Sequence, residues 1–87
     1  MQTYSIYNSS EANRFETQVD GHLARLDYQV RDGLLQIDYV FVPAAIGGRG
    51  IGSALVKTAL EWAQKEGLNP HPICGFARSY IEKHSGN

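Results

Sequence analysis

Four of the nine glycines fall within one short stretch, residues 47–52, which reads Gly-Gly-Arg-Gly-Ile-Gly. Glycines let a backbone turn sharply and bring its N–H groups close to a ligand. A strongly patterned helix begins within this stretch, so free N–H donors and a partial positive charge lie beside the glycines. With the permanent cation of Arg49 and the following Ser53, we interpret residues 47–53 as an anion site suited to phosphate. The simpler alternative is a flexible linker that ends in a glycine N-cap.

Two common phosphate-binding motifs do not fit this stretch. A Walker loop requires Lys followed by Ser or Thr after its last glycine, and that pair is missing. A dinucleotide fingerprint requires the spacing G-x-G-x-x-G, and counted from Gly48 the third glycine would fall on Ser53. That fingerprint also belongs to a parallel βαβ unit, whereas the strands before residue 47 are joined by hairpin turns.

The single cysteine, Cys74, is the other residue with reactive chemistry. It could accept an acyl group as a nucleophile, or it could donate a proton to a leaving thiolate. The nucleophilic role needs the thiolate form, which a helix start or a nearby cation such as Arg78 would favour. A buried structural cysteine is the alternative.

Composition and spacing exclude several classes of function. The chain has 87 residues, which predicts one domain over residues 1–87, and its net charge of -1 argues against nucleic-acid binding. The longest apolar stretch, residues 39–42, is too short to cross a membrane. A lone cysteine and an N-terminus without a secretion pattern predict a cytoplasmic location. We expect no metal, because one cysteine and three scattered histidines, His22, His71 and His84, lack metal-site spacing.

The first half of the chain reads as strands joined by tight turns. Arg14–Val19, residues 22–30 and residues 34–42 each alternate apolar and polar side chains, and Asp20-Gly21 and Asp32-Gly33 separate them. An Asp-Gly pair between alternating runs is a strong hairpin signal. We predict a three-stranded antiparallel meander whose last strand is buried on both faces from Tyr39 onward. Residues 4–7 form either a short edge strand or a loosely packed segment.

The second half reads as helix, strand and helix. Ile51–Glu66 carries an apolar stripe at helical spacing, and Gly67 is a good helix stop. Residues 69–74 are predicted as a short strand and residues 76–84 as a last helix. The fold class is therefore α+β, in which an antiparallel β-meander is followed by a helix, one more strand and a C-terminal helix.

The glycine stretch resembles the coenzyme A loop of the Gcn5-related N-acetyltransferases, which reads Q/R-x-x-G-x-G/A. The wider pattern is similar to the small, minimal members of the YjdJ type, and it extends from about Asn13 to His84. The segments that carry this resemblance are Asn13-Arg-Phe-Glu16, Asp20-Gly21, Ala24, Tyr28, Val42-Pro43, Gly48-Arg-Gly-Ile-Gly-Ser-Ala-Leu-Val56, Pro72-Ile-Cys74 and Tyr80-Ile81.

The resemblance implies a minimal acyl-CoA N-acyltransferase fold with acetyl-coenzyme A as co-substrate. The final strand would splay away from residues 34–42, and the thioester would lie in the opening, near Cys74. The strand end would offer backbone groups to the pantetheine arm, and the glycine loop would hold the diphosphate. The implied coenzyme-binding residues are Phe41, Val42, Gly47, Gly48, Arg49, Gly50, Ile51, Gly52 and Ser53.

The sequence also departs from the family pattern. Gly47 stands where the loop usually carries Gln or Arg, and Tyr39-Val40 stands where many small relatives have His-Thr. In larger relatives a Tyr on the last helix often protonates the coenzyme thiolate; here Ile81 occupies that position. Tyr80 is one residue away, about 100° around the helix. The acceptor helices of larger relatives are absent between the first strands, so the acceptor would meet an open groove or one completed by another chain.

The final strand contains Pro70 and Pro72, which are two residues apart and therefore lack donors on the same side. An incompletely paired side would leave room for the amide groups of pantetheine. Ordinary protection of a sheet edge is the alternative.

Two principal hypotheses follow. The chain is an acyltransferase that moves an acetyl group from acetyl-CoA to a primary amine of a small molecule or protein, by direct attack or through Cys74. Alternatively, it is an acetyl-CoA-binding module or sensor with little turnover. A small interaction domain with a vestigial loop is a weaker third reading. We expect a monomer or a weak homodimer.

Overall fold

The computed structural model describes residues 4–84 and contains one five-stranded sheet with two helices. The strand order in space follows the chain order, and neighbouring strands are antiparallel except for the last pair, β4 and β5, which is parallel. A short 3₁₀ turn, Ala44–Ile46, precedes the first helix. The elements are β1 Tyr7–Ser9, β2 Arg14–Val19, β3 His22–Arg31, β4 Leu34–Phe41, α1 Ile51–Glu66, β5 Asn69–Pro72 and α2 Gly75–His84.

Both predicted hairpins are confirmed. Asp20 and Gly21 have φ of 51° and 79°, and Asp32 and Gly33 have φ of 53° and 75°. Two successive left-handed residues are the geometry of a type I′ turn, which matches the twist of the flanking strands. The antiparallel meander therefore forms as the Asp-Gly pairs predict.

The helix prediction is also confirmed, with the bounds Ile51–Glu66. Gly67 adopts the left-handed conformation and its N–H donates to the carbonyls of Ala63 and Gln64, which ends α1. The inner face of the sheet packs on α1, and α2 joins the same core through Ala77. The buried apolar side chains are Phe15, Ala24, Leu26, Tyr28, Leu35, Ile37, Ile46, Ile51, Leu55, Val56, Ala59, Ala63 and Ala77.

One end of this core is aromatic. The ring of Trp62 lies 5.8 Å from that of Phe15 and 5.5 Å from that of Tyr28. The Tyr28 hydroxyl donates to Oδ1 of Asn8 at 2.5 Å, which ties β1 to β3. Burial raises the pKa of Tyr28, and the bond to Asn8 opposes that rise. The undecided segment before β2 thus becomes a strand, at Tyr7–Ser9 rather than at residues 4–7.

The expectation that β4 ends buried on both faces is wrong. Asp27 pairs with Tyr39 and Tyr28 pairs with Ile37, so Asp38 is an extra residue in β4. Such a β-bulge shifts the alternation by one residue. Val40 therefore continues the inner face, while Tyr39 and Phe41 lie on the outer face with 49% and 37% of their surface exposed.

The final strand is shorter than predicted and its prolines act at the sheet edge. The N–H groups of Asn69 and Ile73 donate to carbonyls of Gly33 and Ile37, so these residues direct their donors toward β4. By alternation the nitrogens of Pro70 and Pro72, which carry no hydrogen, face outward, where no strand follows among the described residues. The side that the prolines leave without donors is therefore the free edge of the sheet and not the side that faces β4, which favours edge protection over room for pantetheine. Neither helix in residues 4–84 has both the length and the apolar character needed to cross a membrane.

Candidate functional site

The two parallel strands separate halfway along β4. β5 pairs with β4 only from Leu34 to Ile37. The N–H groups of Ile73 and Cys74 both donate to the Ile37 carbonyl, at 2.9 and 3.1 Å, and the chain then turns into α2. Among the described residues, no strand pairs with the β5-facing edge of β4 beyond this point. The predicted splay therefore exists, and its physical cause is the departure of the chain at Ile73 rather than the prolines.

The glycine loop connects this unpaired end of β4 to the start of α1. Gly48 and Gly50 both have φ of 76°, a conformation that glycine adopts without strain. Gly50 is the N-cap of α1, and its carbonyl accepts the N–H of Ala54 at 3.0 Å. Among residues 4–84 no side chain caps this helix start, and its first turn holds no acidic residue. The first N–H groups of a helix have no intrahelical partner, so α1 presents free donors here.

A cavity of about 360 Å³ lies between the loop, the end of β4 and the start of α2. It brings together seven residues that the sequence singled out. These are Val42, Gly47, Gly48, Gly50, Ile51, Gly52 and Ser53, and the two remaining wall residues are Val40 and Phe76.

The sequence analysis did not predict the two apolar side chains of the cavity wall, Val40 and Phe76. Val40 lines the cavity because the bulge at Asp38 shifts the alternation of side chains along β4. The sequence of β4 alone does not indicate that shift. Phe76 comes from the first turn of α2 and remains 46% exposed. A Cβ placed on Gly52 would come within 2.9 Å of Cζ of Phe76, so the ring lies directly on α1. The small size of Gly52 thus permits the contact between the two helix starts.

Two predicted site residues, Phe41 and Arg49, are not among the residues that line the cavity. Phe41 lies on the outer face of the sheet because of the bulge. Arg49 places Nη1 2.9 Å from Oδ2 of Asp20 in the first hairpin. Its carbonyl also accepts the Tyr4 hydroxyl at 2.6 Å. These bonds connect the loop to other parts of the fold, although an exposed ion pair contributes only about 0.2–1 kcal/mol.

Cys74 lies at the boundary between β5 and α2. It is half-buried against the core, and its carbonyl accepts the N–H of Arg78 at 3.0 Å. It does not line the main cavity. Its backbone is nevertheless anchored at Ile37, where the two strands part. The residue therefore borders the unpaired edge of β4.

A smaller hollow of about 110 Å³ continues from the main cavity along α2 and shares Ser53 and Phe76 with it. Tyr80 lines this hollow, and its ring stacks on His84 at 4.0 Å. Ile81 lines a different hollow, with Leu60 and Pro70. Tyr80, rather than Ile81, is therefore the residue of this pair on the side of the glycine loop.

Comparison with known proteins identifies related sequences and folds. The sequence profile of the family described as GCN5-related N-acetyl-transferase matches residues 14–86. Protein NATD1 of mouse and of chicken is 32% identical over 50 residues, which are 58% of this chain and 46% of each relative. The human protein of that name gives the same identity over 44% of its length. The chain thus spans about half the length of the curated relatives it matches.

Two solved structures share the fold. The solution structure of a Staphylococcus aureus protein, described as a candidate GCN5-like N-acetyltransferase, has a TM-score of 0.72 and 30% identity. The match covers 95% of this chain and 82% of that one. A ribosomal-protein-alanine N-acetyltransferase from Brucella melitensis biovar Abortus 2308 has a TM-score of 0.55 at 19% identity, covering 85% of this chain and 61% of that chain. The second likeness concerns the fold alone. The predicted α+β fold class is confirmed.

Proposed function

The chain belongs to the GCN5-related N-acetyltransferase family, and from that premise we propose that it transfers an acetyl group from acetyl-coenzyme A to an amine. The observation that carries the proposal is the cavity itself. It joins uncapped helix N–H groups, a glycine loop and the unpaired end of a strand within about 360 Å³. These three features side by side suit a phosphate-bearing ligand with a long polar arm.

The loop has the properties that a diphosphate requires. Gly48 and Gly50 take left-handed backbone angles, and a Cβ on either would point into open space, so side chains do not crowd the approach. The first turn of α1 supplies N–H donors and the positive end of the helix dipole. We assign residues 47–53 to the diphosphate. Arg49 adds a positive charge nearby, although its guanidinium is paired with Asp20.

The remaining walls suit the arm of the coenzyme. Val40 and Val42 offer an apolar surface, and the free edge of β4 offers backbone N–H and C=O groups. Pantetheine carries amides that can pair with such groups, as a strand would. We assign the backbone of Phe41 and Val42 to this role. Bound acetyl-CoA supplies an activated acyl group, and an arm that follows this edge leads toward Ile37 and Cys74.

The transfer requires few changes of bonding. The neutral amine attacks the carbonyl carbon, a C–N bond forms and the C–S bond breaks. The nitrogen loses one proton, and the coenzyme sulfur leaves as a thiolate that takes up one. In direct attack the amine meets the thioester. In a relay the Cys74 thiolate first receives the acetyl group and the coenzyme thiolate leaves; the amine then attacks the acetyl-cysteine and releases the Cys74 thiolate. Its anchored position where β4 and β5 separate supports Cys74 as a candidate for this relay.

Incubation with labelled acetyl-CoA tests the relay. We expect the intact protein to retain covalent label and Cys74→Ala to lose it, while coenzyme affinity stays within about twofold because the side chain does not line the cavity. Label that persists in the variant would exclude Cys74 as the carrier and leave direct attack.

A coenzyme-binding module with little turnover is the second candidate. It is favoured by the short connection between β1 and β2, residues 10–13, which has no room for helices that would enclose an acceptor. Thermal stabilisation separates these candidates from a domain without coenzyme. Acetyl-CoA at a hundred times its Kd should stabilise the fold by about 2.7 kcal/mol, whereas ATP and NAD should do so less. No shift with millimolar acetyl-CoA would contradict both candidates.

A further inference from the structure

The segment that precedes β1 is held against the core by its side chains. β1 pairs with β2 over Tyr7–Ser9, whereas residues 4–6 belong to no strand. Tyr4 and Ile6 are half-buried and pack against the hydrophobic core. The position of Tyr4 is therefore set by packing of its ring, and its hydroxyl can be directed at another part of the fold.

That hydroxyl contacts the backbone of the glycine loop. It donates to the carbonyl of Arg49 at 2.6 Å, across 45 positions of sequence. The peptide that joins Arg49 to Gly50 is planar and trans, so its C=O and N–H groups point in opposite directions. The hydrogen bond from Tyr4 therefore also fixes the direction of the Gly50 N–H, which points away from Tyr4. Gly50 lines the cavity, and its amide is one of those that we assign to the diphosphate.

The loop does not select this orientation through its own residues. Gly48 and Gly50 both have φ of 76°, and glycine populates positive and negative φ about equally. The ion pair between Arg49 and Asp20 lies at the end of an exposed, flexible side chain, so it leaves the peptide plane free to rotate. Tyr4 binds the backbone itself, through a rigid ring with only two rotatable side-chain bonds.

We propose that Tyr4 is a positioning residue for the coenzyme loop, whose hydroxyl keeps the Gly50 amide directed toward the diphosphate. The inference rests on the proposed function. Tyr4 does not line the cavity, so it acts through the loop rather than by touching the ligand. A protein that adopts its binding-competent conformation only part of the time loses affinity in proportion to that fraction. Loss of the Tyr4 hydroxyl therefore weakens coenzyme binding without removing any contact to the coenzyme.

Two matched variants test this role. Tyr4→Phe removes the hydroxyl and keeps the ring that packs on the core, so the variant should fold. Tyr7→Phe makes the same change three residues along, on a side chain that is 64% exposed and does not line the cavity. Calorimetric titration with coenzyme A measures the Kd of each protein, at a temperature at which thermal unfolding shows all of them to be folded.

We expect Tyr4→Phe to raise the Kd about threefold to tenfold, as loss of one neutral hydrogen bond does. Tyr7→Phe should bind like the unaltered protein. Where turnover is measurable, the KM for acetyl-CoA should rise with the Kd, and kcat should change less. Equal affinities in Tyr4→Phe and Tyr7→Phe would overturn the proposal.

The orientation of the Gly50 N–H bond is a readout that a general loss of stability would not move. Residual dipolar couplings of weakly aligned, isotope-labelled protein measure it. In Tyr4→Phe without ligand, the Gly50 coupling should be averaged, while the couplings of β3 and α1 stay unchanged. Saturating coenzyme A should restore the Gly50 coupling, because the ligand selects the same orientation.

A Gly50 coupling that is the same in Tyr4→Phe and in the unaltered protein, both without ligand, would contradict the role of Tyr4 even if affinity falls. Failure of coenzyme A to bind the unaltered protein is a separate result. It would contradict the proposed function, and with it the positioning role that depends on that function.

Discussion

At the scale of single residues, the start of α1 lacks the side chains that commonly stabilise a helix N-terminus. Helices gain stability when an acidic side chain occupies the first turn or a polar side chain caps the N-terminus. α1 has neither, and its N-cap is Gly50. A capping side chain would occupy the same N–H groups that a phosphate needs. The uncapped start therefore leaves these N–H groups available to a ligand, and α1 lacks the stability that a cap would add.

Ser53 offers a test in which stability and binding change in opposite directions. Ser53→Glu places a carboxylate at the third helical position, which should stabilise the fold by about 0.3–1 kcal/mol. The same charge should repel the diphosphate and weaken coenzyme binding by about tenfold or more, equivalent to at least ~1.4 kcal/mol.

The matched control is Ser53→Gln, which has the size of Glu without its charge. Thermal unfolding and calorimetric titration measure the two effects. If Glu and Gln weaken binding equally, bulk alone explains the loss and the electrostatic account of the site is wrong.

The ion pair between Arg49 and Asp20 gives a second residue-scale prediction. Asp20 pairs with the guanidinium of Arg49 and would compete with a bound coenzyme for it. Asp20→Asn should therefore tighten coenzyme binding by about twofold to fivefold at low salt, which corresponds to the free energy of one exposed ion pair. Asn is tolerated at this φ of 51°.

Salt and a double-mutant cycle check this effect. High salt should remove the gain, because exposed charges are screened. In an Arg49→Ala background the Asp20 change should have no effect on affinity. A gain that survives in that background would show that Arg49 does not mediate it.

At the scale of elements, the contact between the two helix starts shapes the cavity. Phe76 rests on Gly52, where a Cβ would meet the ring at 2.9 Å. Ala is more favourable than Gly inside a helix by about 1 kcal/mol. Gly52→Ala should therefore raise the free energy of unfolding by that amount in a Phe76→Ala background. It should raise it by less when the Phe76 ring is present.

Chemical denaturation of the four proteins in this cycle measures the coupling. The expected coupling is about 0.5–1 kcal/mol, because the exposed ring can move only partly out of the way. Equal gains in both backgrounds would mean that Phe76 does not rest on Gly52.

The elements also indicate what local sequence can predict. The Asp-Gly turns and the bounds of α1 follow from short-range rules of conformation and capping, and both are confirmed. The bulge at Asp38 follows from cross-strand pairing, which the alternation of β4 alone does not encode. That one extra residue explains why Phe41 lies outside and Val40 inside. Most of the cavity was predictable because it is one continuous stretch of chain.

The residues that sequence reasoning missed are brought in by tertiary contacts. Phe76 arrives from α2, and Asp20 meets Arg49 from a distant hairpin. The role of Pro70 and Pro72 was decided by which edge their missing donors face, a property of strand order rather than of the dipeptide pattern.

At the scale of the whole molecule, both helices share one core on one face of the sheet and leave the opposite face uncovered. Where β5 leaves β4, the free edge of β4 borders both faces of the sheet. Small domains bury a limited share of their surface and are only marginally stable. Ligand binding therefore makes a large relative contribution to stability.

We propose above all that the free amides at the start of α1 bind the coenzyme diphosphate. Titration of isotope-labelled protein with acetyl-CoA, followed by amide NMR, tests it directly. We predict that the largest saturable shifts occur at Gly48, Gly50, Gly52 and Ser53, with smaller shifts along Val40 and Val42. Saturating coenzyme that leaves these amides unmoved, or shifts a different region most strongly, would contradict the claim.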